Sequence, residues 1–217
     1  MKRFLLLIGA ELFLAGAAHA QLGVRVGGNL SKLRTTTGAN LVNSSDSRLG
    51  YQVGVTYQVP LIAHLSLVPE VQYSNERATL TQVNYAIADL IFQTDSRLSL
   101  HYLNVPVLLR ASLGPVYVEG GPQASLLLGG RQTGTVTSGG WGIRNTTRTL
   151  DESYAEKNRR FDVGPCVGIG ARLPAGLGIN VRAYWGLTTL NSERSNSEGE
   201  YQRRSLQASL TYQLPTR

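Results

Sequence analysis

Apolar and polar residues alternate one for one along most of the chain, the period of a strand with two unlike faces. Leu22, Val24, Val26, Gly28 and Leu30 are interleaved with Gly23, Arg25, Gly27 and Asn29. Leu49, Tyr51, Val53, Val55, Tyr57 and Val59 alternate in the same way with Gly50, Gln52, Gly54, Thr56 and Gln58. Further runs cover Leu65–Tyr73, Val116–Leu128, Phe161–Leu173, Leu177–Leu187 and Leu206–Leu214. The run Leu98–Ala111 changes phase, from Leu98, Leu100 and Tyr102 to Leu103, Val105, Val107 and Leu109. A one-residue bulge near Tyr102–Leu103 is expected there, because an extra residue swaps the two faces. The pattern therefore predicts eight strands.

The seven connections alternate in length. Short turns are expected at Pro60–His64, Ser112–Pro115 and Pro174–Gly176, and long polar loops at Ser31–Arg48, Asn75–Arg97, Gly129–Arg160 and Thr188–Arg204. This segregation predicts an all-β, antiparallel, up-and-down meander of one domain over residues 21–217, with all long loops at one end. The segment Ala86–Phe92 in the second long loop is apolar enough to continue a strand or to form a short helix.

The first twenty residues read differently. Lys2 and Arg3 precede an apolar stretch from Phe4 to Gly16, interrupted by Glu11, and Ala18-His19-Ala20 has the small-x-small spacing of a signal-peptidase site. Residues 1–20 are expected to be a cleaved signal peptide. After them no run of 18 apolar residues occurs, so a bilayer would have to be crossed by strands.

Alternation alone fits a soluble barrel, apolar inside, as well as a membrane barrel, apolar outside. The polar face discriminates. Seven of the runs, the irregular fourth omitted, give 41 apolar-face positions without a charge. They also give 34 opposite positions carrying six charges: Arg25, Glu70, Glu119, Asp162, Arg172 and Arg182. Six of 34 is fewer than the roughly 25–35% of a water-facing surface. The other residues of that face are mainly Gly, Ser, Thr, Gln and Asn, which suit the narrow interior of an eight-stranded barrel. The six charges are expected to pair across such a lumen, since buried charge is costly unless paired. On the apolar face, Tyr51, Tyr73, Phe161 and Trp185 lie toward the long loops, and Tyr57 and Tyr212 toward the short turns. Two aromatic belts are expected at the two interfaces of a transmembrane barrel.

Composition follows from this reading. Of 217 residues, 24 are Gly and only 16% are charged. Lys+Arg is 21 against 14 Asp+Glu, a net charge of +7. Without residues 1–20 the balance is 19 − 13 = +6, and most of it falls in loops and strand ends. No basic stripe is left for nucleic acid. The longest loop holds Arg131, Arg144, Arg148, Lys157, Arg159 and Arg160, a cluster expected to meet lipopolysaccharide phosphates if that end is extracellular.

Catalytic patterns are weak. His64 falls in a short turn, and His101, in the fourth strand, is a polar strand residue that would face a lumen. Neither has sequence neighbours of a Ser–His–acid arrangement. One Cys, Cys166, excludes an intramolecular disulfide framework and multi-Cys zinc sites and is expected to be a small inward filler. Asp151–Glu156 lacks the regular spacing of a calcium loop. The pairs Gly27-Gly28, Gly120-Gly121 and Gly129-Gly130 are not followed by Lys-Ser/Thr and a helix, so they read as barrel kinks. No metal and no cofactor is implied.

Three segments carry a family resemblance. Leu67-Val68-Pro69-Glu70-Val71-Gln72-Tyr73-Ser74 and Tyr102-Leu103-Asn104-Val105-Pro106-Val107-Leu108-Leu109 resemble the third- and fourth-strand motifs of PorT-like outer-membrane barrel proteins. Gly23-Val24-Arg25-Val26-Gly27-Gly28-Asn29-Leu30-Ser31 is similar to the start of those chains. The resemblance implies an eight-stranded barrel in the bacterial outer membrane, with short turns periplasmic and long loops outside the cell. The expected role is structural or interactive, without catalysis, through the long loops, with outer-membrane lipid, lipopolysaccharide and other envelope proteins as partners. Two alternatives are an accessory of a protein-secretion apparatus and a soluble lipocalin-like barrel around an apolar ligand.

Overall fold

The computed structural model describes residues 21–35, 41–87, 90–140, 143–154, 159–189 and 201–215. The expected signal peptide lies outside them. Nine strands are found among these residues: β1 (Gln21–Thr35), β2 (Leu41–Ile62), β3 (Leu65–Ile87), β4 (Leu90–Leu113), β5 (Val116–Gly140), β6 (Ile143–Ser153), β7 (Phe161–Arg172), β8 (Leu177–Trp185) and β9 (Tyr201–Gln213). No described helix is long and apolar enough to cross a membrane.

Every adjacent pair is antiparallel, and the ring closes through β9 on β1 and β5 on β7. Eight strands form the barrel. The ninth, β6, pairs only with the upper half of β5, from Arg131↔Ser153 to Gly140↔Ile143. It is a hairpin arm, not a barrel stave. The short turns fall where the sequence predicts them. Gly114 (φ 63°), Ala175 (φ 61°) and Gly176 (φ 76°) provide the left-handed backbone that such tight reversals need.

The long loops are a correction. Three of the four segments read as loops are largely strand: β1 continues to Thr35, β3 to Ile87, β4 begins at Leu90, and β5 runs to Gly140. Paired backbone accounts for this, since each carbonyl and amide finds its partner across a hairpin and needs no apolar face to do so. At roughly 3.3 Å per residue, the β3–β4 hairpin runs about 36 Å beyond His101. Ala86–Phe92 is strand at both described ends.

The predicted bulge is also corrected. Along β4, Leu98, Leu100, Tyr102, Asn104, Pro106, Leu108 and Arg110 are all buried in unbroken alternation, so this strand changes no phase. The register shift lies on its neighbour: His101 pairs with Gly129 and Tyr102 with Leu127, leaving Leu128 of β5 as the extra residue.

What changes phase is the environment. Below the level of His101 the barrel is apolar outside, with Val24, Val53, Val71, Val181 and Leu210 among the exposed residues, and polar inside. From about this level upward, Leu33, Leu80, Leu98, Leu100, Tyr102, Leu127 and Tyr154 form one buried cluster inside. The outward residues there are polar, such as Lys32, Arg77, Thr79, Arg97 and Ser99. The lower barrel is built for lipid and the upper barrel for water. The exposed apolar belt and the charged interior below it overturn the lipocalin-like alternative, whose apolar residues would point inward.

Candidate functional site

The lumen carries eight buried charges, four arginines and four carboxylates: Arg25, Arg110, Arg182, Arg203, Glu70, Glu76, Glu119 and Asp162. The balance among the described residues is 4 − 4 = 0. They form two tiers.

In the lower tier Arg182 of β8 joins two carboxylates. Its Nη1 and Nη2 donate to Glu70 at 2.7 and 2.6 Å, and its Nε donates to Glu119 at 2.5 Å. Glu119 also accepts Arg110 Nε and Nη2, at 3.0 and 2.8 Å, and Asn180 Nδ2 at 2.9 Å. Arg25 stands 3.7 Å from Glu70 and donates to Asn180 at 3.2 Å, but its Nε and Nη1 have no hydrogen-bond partner among the described residues. Gly168 faces this tier; a Cβ there would meet Arg182 Cγ at 2.7 Å. Gly170 likewise leaves room for the Tyr117 ring, which carries the Arg110 guanidinium 4.1 Å from its centroid.

In the upper tier Arg203 of β9 donates to both oxygens of Glu76, at 2.9 and 2.8 Å, and to Asn104 at 3.1 Å. Its guanidinium lies between the Tyr102 and Tyr184 rings, 4.1 and 4.7 Å from their centroids. Asp162 is 3.8 Å away and accepts the Tyr184 hydroxyl at 2.8 Å. Cys166 is buried with Leu108 and Tyr184 as a filler between strands. Directly above lies the apolar cluster. Arg182, Arg203 and Leu127 are each 1% exposed and Tyr102 is 0%, so the side chains of this stack are shielded from solvent.

Of the six lumen charges named from sequence, Arg25, Glu70, Glu119 and Arg182 meet in the lower tier and Asp162 joins the upper. Arg172 joins neither. It is exposed at the short-turn mouth, hydrogen-bonded to Ser112, beside a cavity of about 350 Å³ also lined by Gln58 and His64. As the last residue of β7 it reaches the rim, not the interior. Sequence reading missed Arg110, Glu76 and Arg203. Arg110 sits in the fourth run, whose change of phase hides its face, and the other two lie in segments whose polarity predicts loops.

The basic loop residues do not converge. Arg131 forms a two-pronged pair with Asp151, both bonds 2.7 Å, and both side chains are largely exposed. Hydrogen bonding to Asp151 raises the Arg131 pKa, and the same bonds hold the Asp151 carboxyl below its ordinary value. Arg144 and Arg148 are exposed along β6, and Arg159 and Arg160 precede β7. Lys157 lies outside the described residues.

His101 faces outward, not into the lumen. Its Nδ1 is 2.7 Å from the Tyr73 hydroxyl and 3.3 Å from Asn75 Nδ2. Among the described residues no group of three or more His, Cys, Asp or Glu side chains could hold a metal ion.

A family model for the outer membrane protein beta-barrel domain matches residues 16–192. No curated protein matches the chain in sequence. Among solved structures, the attachment invasion locus protein Ail of Yersinia pestis is 9% identical with a TM-score of 0.47, over 90% of this chain and 99% of that one. Neisserial surface protein A is 14% identical with a TM-score of 0.45, over the same shares. OprG of Pseudomonas aeruginosa is 9% identical with a TM-score of 0.44, over 91% of this chain and 97% of that one.

Proposed function

The chain belongs to the outer membrane protein beta-barrel domain family and resides in the bacterial outer membrane, and from that premise we propose that it acts as a closed, non-enzymatic barrel working through its outer surface. The observation that carries this reading is the filled lumen: two tiers of paired charge under an apolar cluster, each spanning the barrel from wall to wall. A barrel closed in this way offers solutes no path, so its contacts are made outside. The hairpins above the belt supply the surface. They are paired backbone with polar exteriors, rigid enough to present side chains at fixed spacing. Outer-leaflet lipid, lipopolysaccharide and other envelope proteins are the partners of this reading.

Purified protein refolded into planar bilayers tests it. No unitary conductance steps are expected from the wild type. Steady single-channel conductance would overturn the closed-barrel reading. A second reading, an accessory of a secretion apparatus, is favoured by the PorT-like segments Leu67–Ser74 and Tyr102–Leu109. Unchanged protein secretion in cells lacking this chain would exclude it.

A further inference from the structure

The hairpin arginines are strung out, but a second set of basic residues is not. Where the belt gives way to the polar upper barrel, Arg204 of β9 is the direct cross-strand partner of Lys32 of β1. Ser31, the neighbour of Lys32, pairs with Arg48 of β2, and Arg48 is the direct partner of Arg77 of β3. Arg97 of β4 pairs with Thr79, two residues above Arg77. All five basic side chains are exposed. The strands β4, β3, β2, β1 and β9 are consecutive in the ring, so the residues form one arc.

Two pairs in this arc place like charges opposite each other, at a Cβ separation of about 5 Å, an arrangement that is destabilising by itself. Asp46 and Asp95 stand one step higher, and Asp95 is engaged by Thr81 and Gln93. Among the described residues, none of the ion pairs reaches Lys32, Arg48, Arg77, Arg97 or Arg204. Arg77 donates its Nε to the amide oxygen of Asn75, at 3.0 Å. Directly beneath the arc the exposed residues are Leu30, Leu49, Tyr51 and Leu206. Basic groups above and apolar groups below, on the same strands, match a molecule with an anionic head and hydrocarbon tails.

We propose that this arc is a binding site for an outer-leaflet lipid with a phosphate-bearing head group, with phosphates bridging Arg48 with Arg77 and Lys32 with Arg204, and acyl chains lying on Leu30, Leu49 and Leu206. Guanidinium groups suit this role because their forked donors match phosphate oxygens. The site deepens the surface-interaction reading and rests on it, since the arc reaches lipid only if the belt lies in the membrane with the hairpins outside.

The test uses the folded protein in detergent micelles, incubated with bis-phosphorylated lipid A and washed, with retained lipid measured by native mass spectrometry. Wild type is expected to retain lipid A and to retain dephosphorylated lipid A far more weakly. The four-residue variant Lys32→Gln, Arg48→Gln, Arg77→Gln, Arg204→Gln removes groups that each contribute about fivefold near an anionic lipid surface, so retention falls by at least about a hundredfold. The variant Arg144→Gln, Arg148→Gln, Arg159→Gln, Arg160→Gln keeps wild-type retention. Equal retention by the arc variant, loss in the hairpin variant instead, or indifference to the phosphates would each overturn the arc site. Heat-dependent gel mobility is read on the same samples. If folded wild type retains no lipid A, the site fails and the barrel reading stands; if no folded form resists SDS, that reading itself fails.

Discussion

Arg182 holds two carboxylates at once, and much of the lower lumen depends on it. Replacing one member of a buried ion pair leaves its partner charged and unpaired, at a cost of about 3–5 kcal/mol. Glu119→Gln strips a carboxylate from both Arg182 and Arg110, so it is expected to lower stability by that amount, read as a shift of the urea unfolding midpoint in micelles. Arg25 is held more loosely, by one amide and a 3.7 Å approach to Glu70. Arg25→Met is therefore expected to cost clearly less than Arg182→Met under the same conditions. Equal losses would mean that the tier is not organised around Arg182. At this scale the sequence was informative where alternation was regular: Arg25, Glu70, Glu119 and Arg182 announce themselves as charges on an otherwise small and polar face. Arg110, Glu76 and Arg203 do not, because side-chain period identifies a face only when the strand itself is recognised. Arg172 shows the opposite failure, since period says which side a residue takes but not how near the rim it stands.

The hairpins are elements whose sidedness reverses along their length. In β4 a run of alternating apolar residues continues inward above the membrane while the outward positions turn polar, and the change mimics a bulge in sequence. The inward leucines make an ordinary protein core there. Leu100→Ala is expected to cost about 2–5 kcal/mol through the cavity it leaves, and to raise amide exchange in the upper β3–β4 hairpin more than at Ile179–Val181 of β8, which lie within the belt. A uniform rise would mean that the upper barrel has no core of its own. The β5–β6 arm leans on a different contact, the Arg131–Asp151 pair. Hydrogen bonding to Arg131 depresses the Asp151 carboxyl in the folded arm, so its contribution is present above the ordinary value of 3.8 and is lost as pH falls below it. Amide exchange at Gly134–Ser138, corrected for intrinsic rates, should rise below that pH in wild type and show no such step in Asp151→Asn. The arm was legible only as a loop. Its residues are mostly Thr, Ser, Gly and Arg, with no apolar face, and its pairing lies in the backbone.

As a whole the molecule is a charge-neutral plug inside an uncharged belt. Architecture was largely legible: the eight barrel strands, meander order, short-turn positions and the lipid-facing side follow from alternation and loop spacing, because a closed barrel forces every strand into a two-sided pattern. The length of the barrel above the membrane was not, because there the same alternation reverses its meaning. On the closed-barrel reading, closure is shared between the tiers and the apolar cluster, so the variant Glu70→Ala, Arg182→Ala, Glu119→Ala, which removes three of the five charges of the lower tier and leaves the upper tier intact, should remain non-conducting in planar bilayers. Conductance in that variant would show that the upper cluster does not seal. The reversal of sidedness has one more consequence. A barrel apolar outside along its full height could slide along the membrane normal at little cost. Here, sinking by one turn of pleat would drag Lys32, Arg77 and Arg204 into hydrocarbon, and rising would expose Leu30, Leu49 and Leu206 to water. The inversion works as a waterline: it fixes the depth at which the protein floats, and with it the height at which every hairpin is held above the membrane.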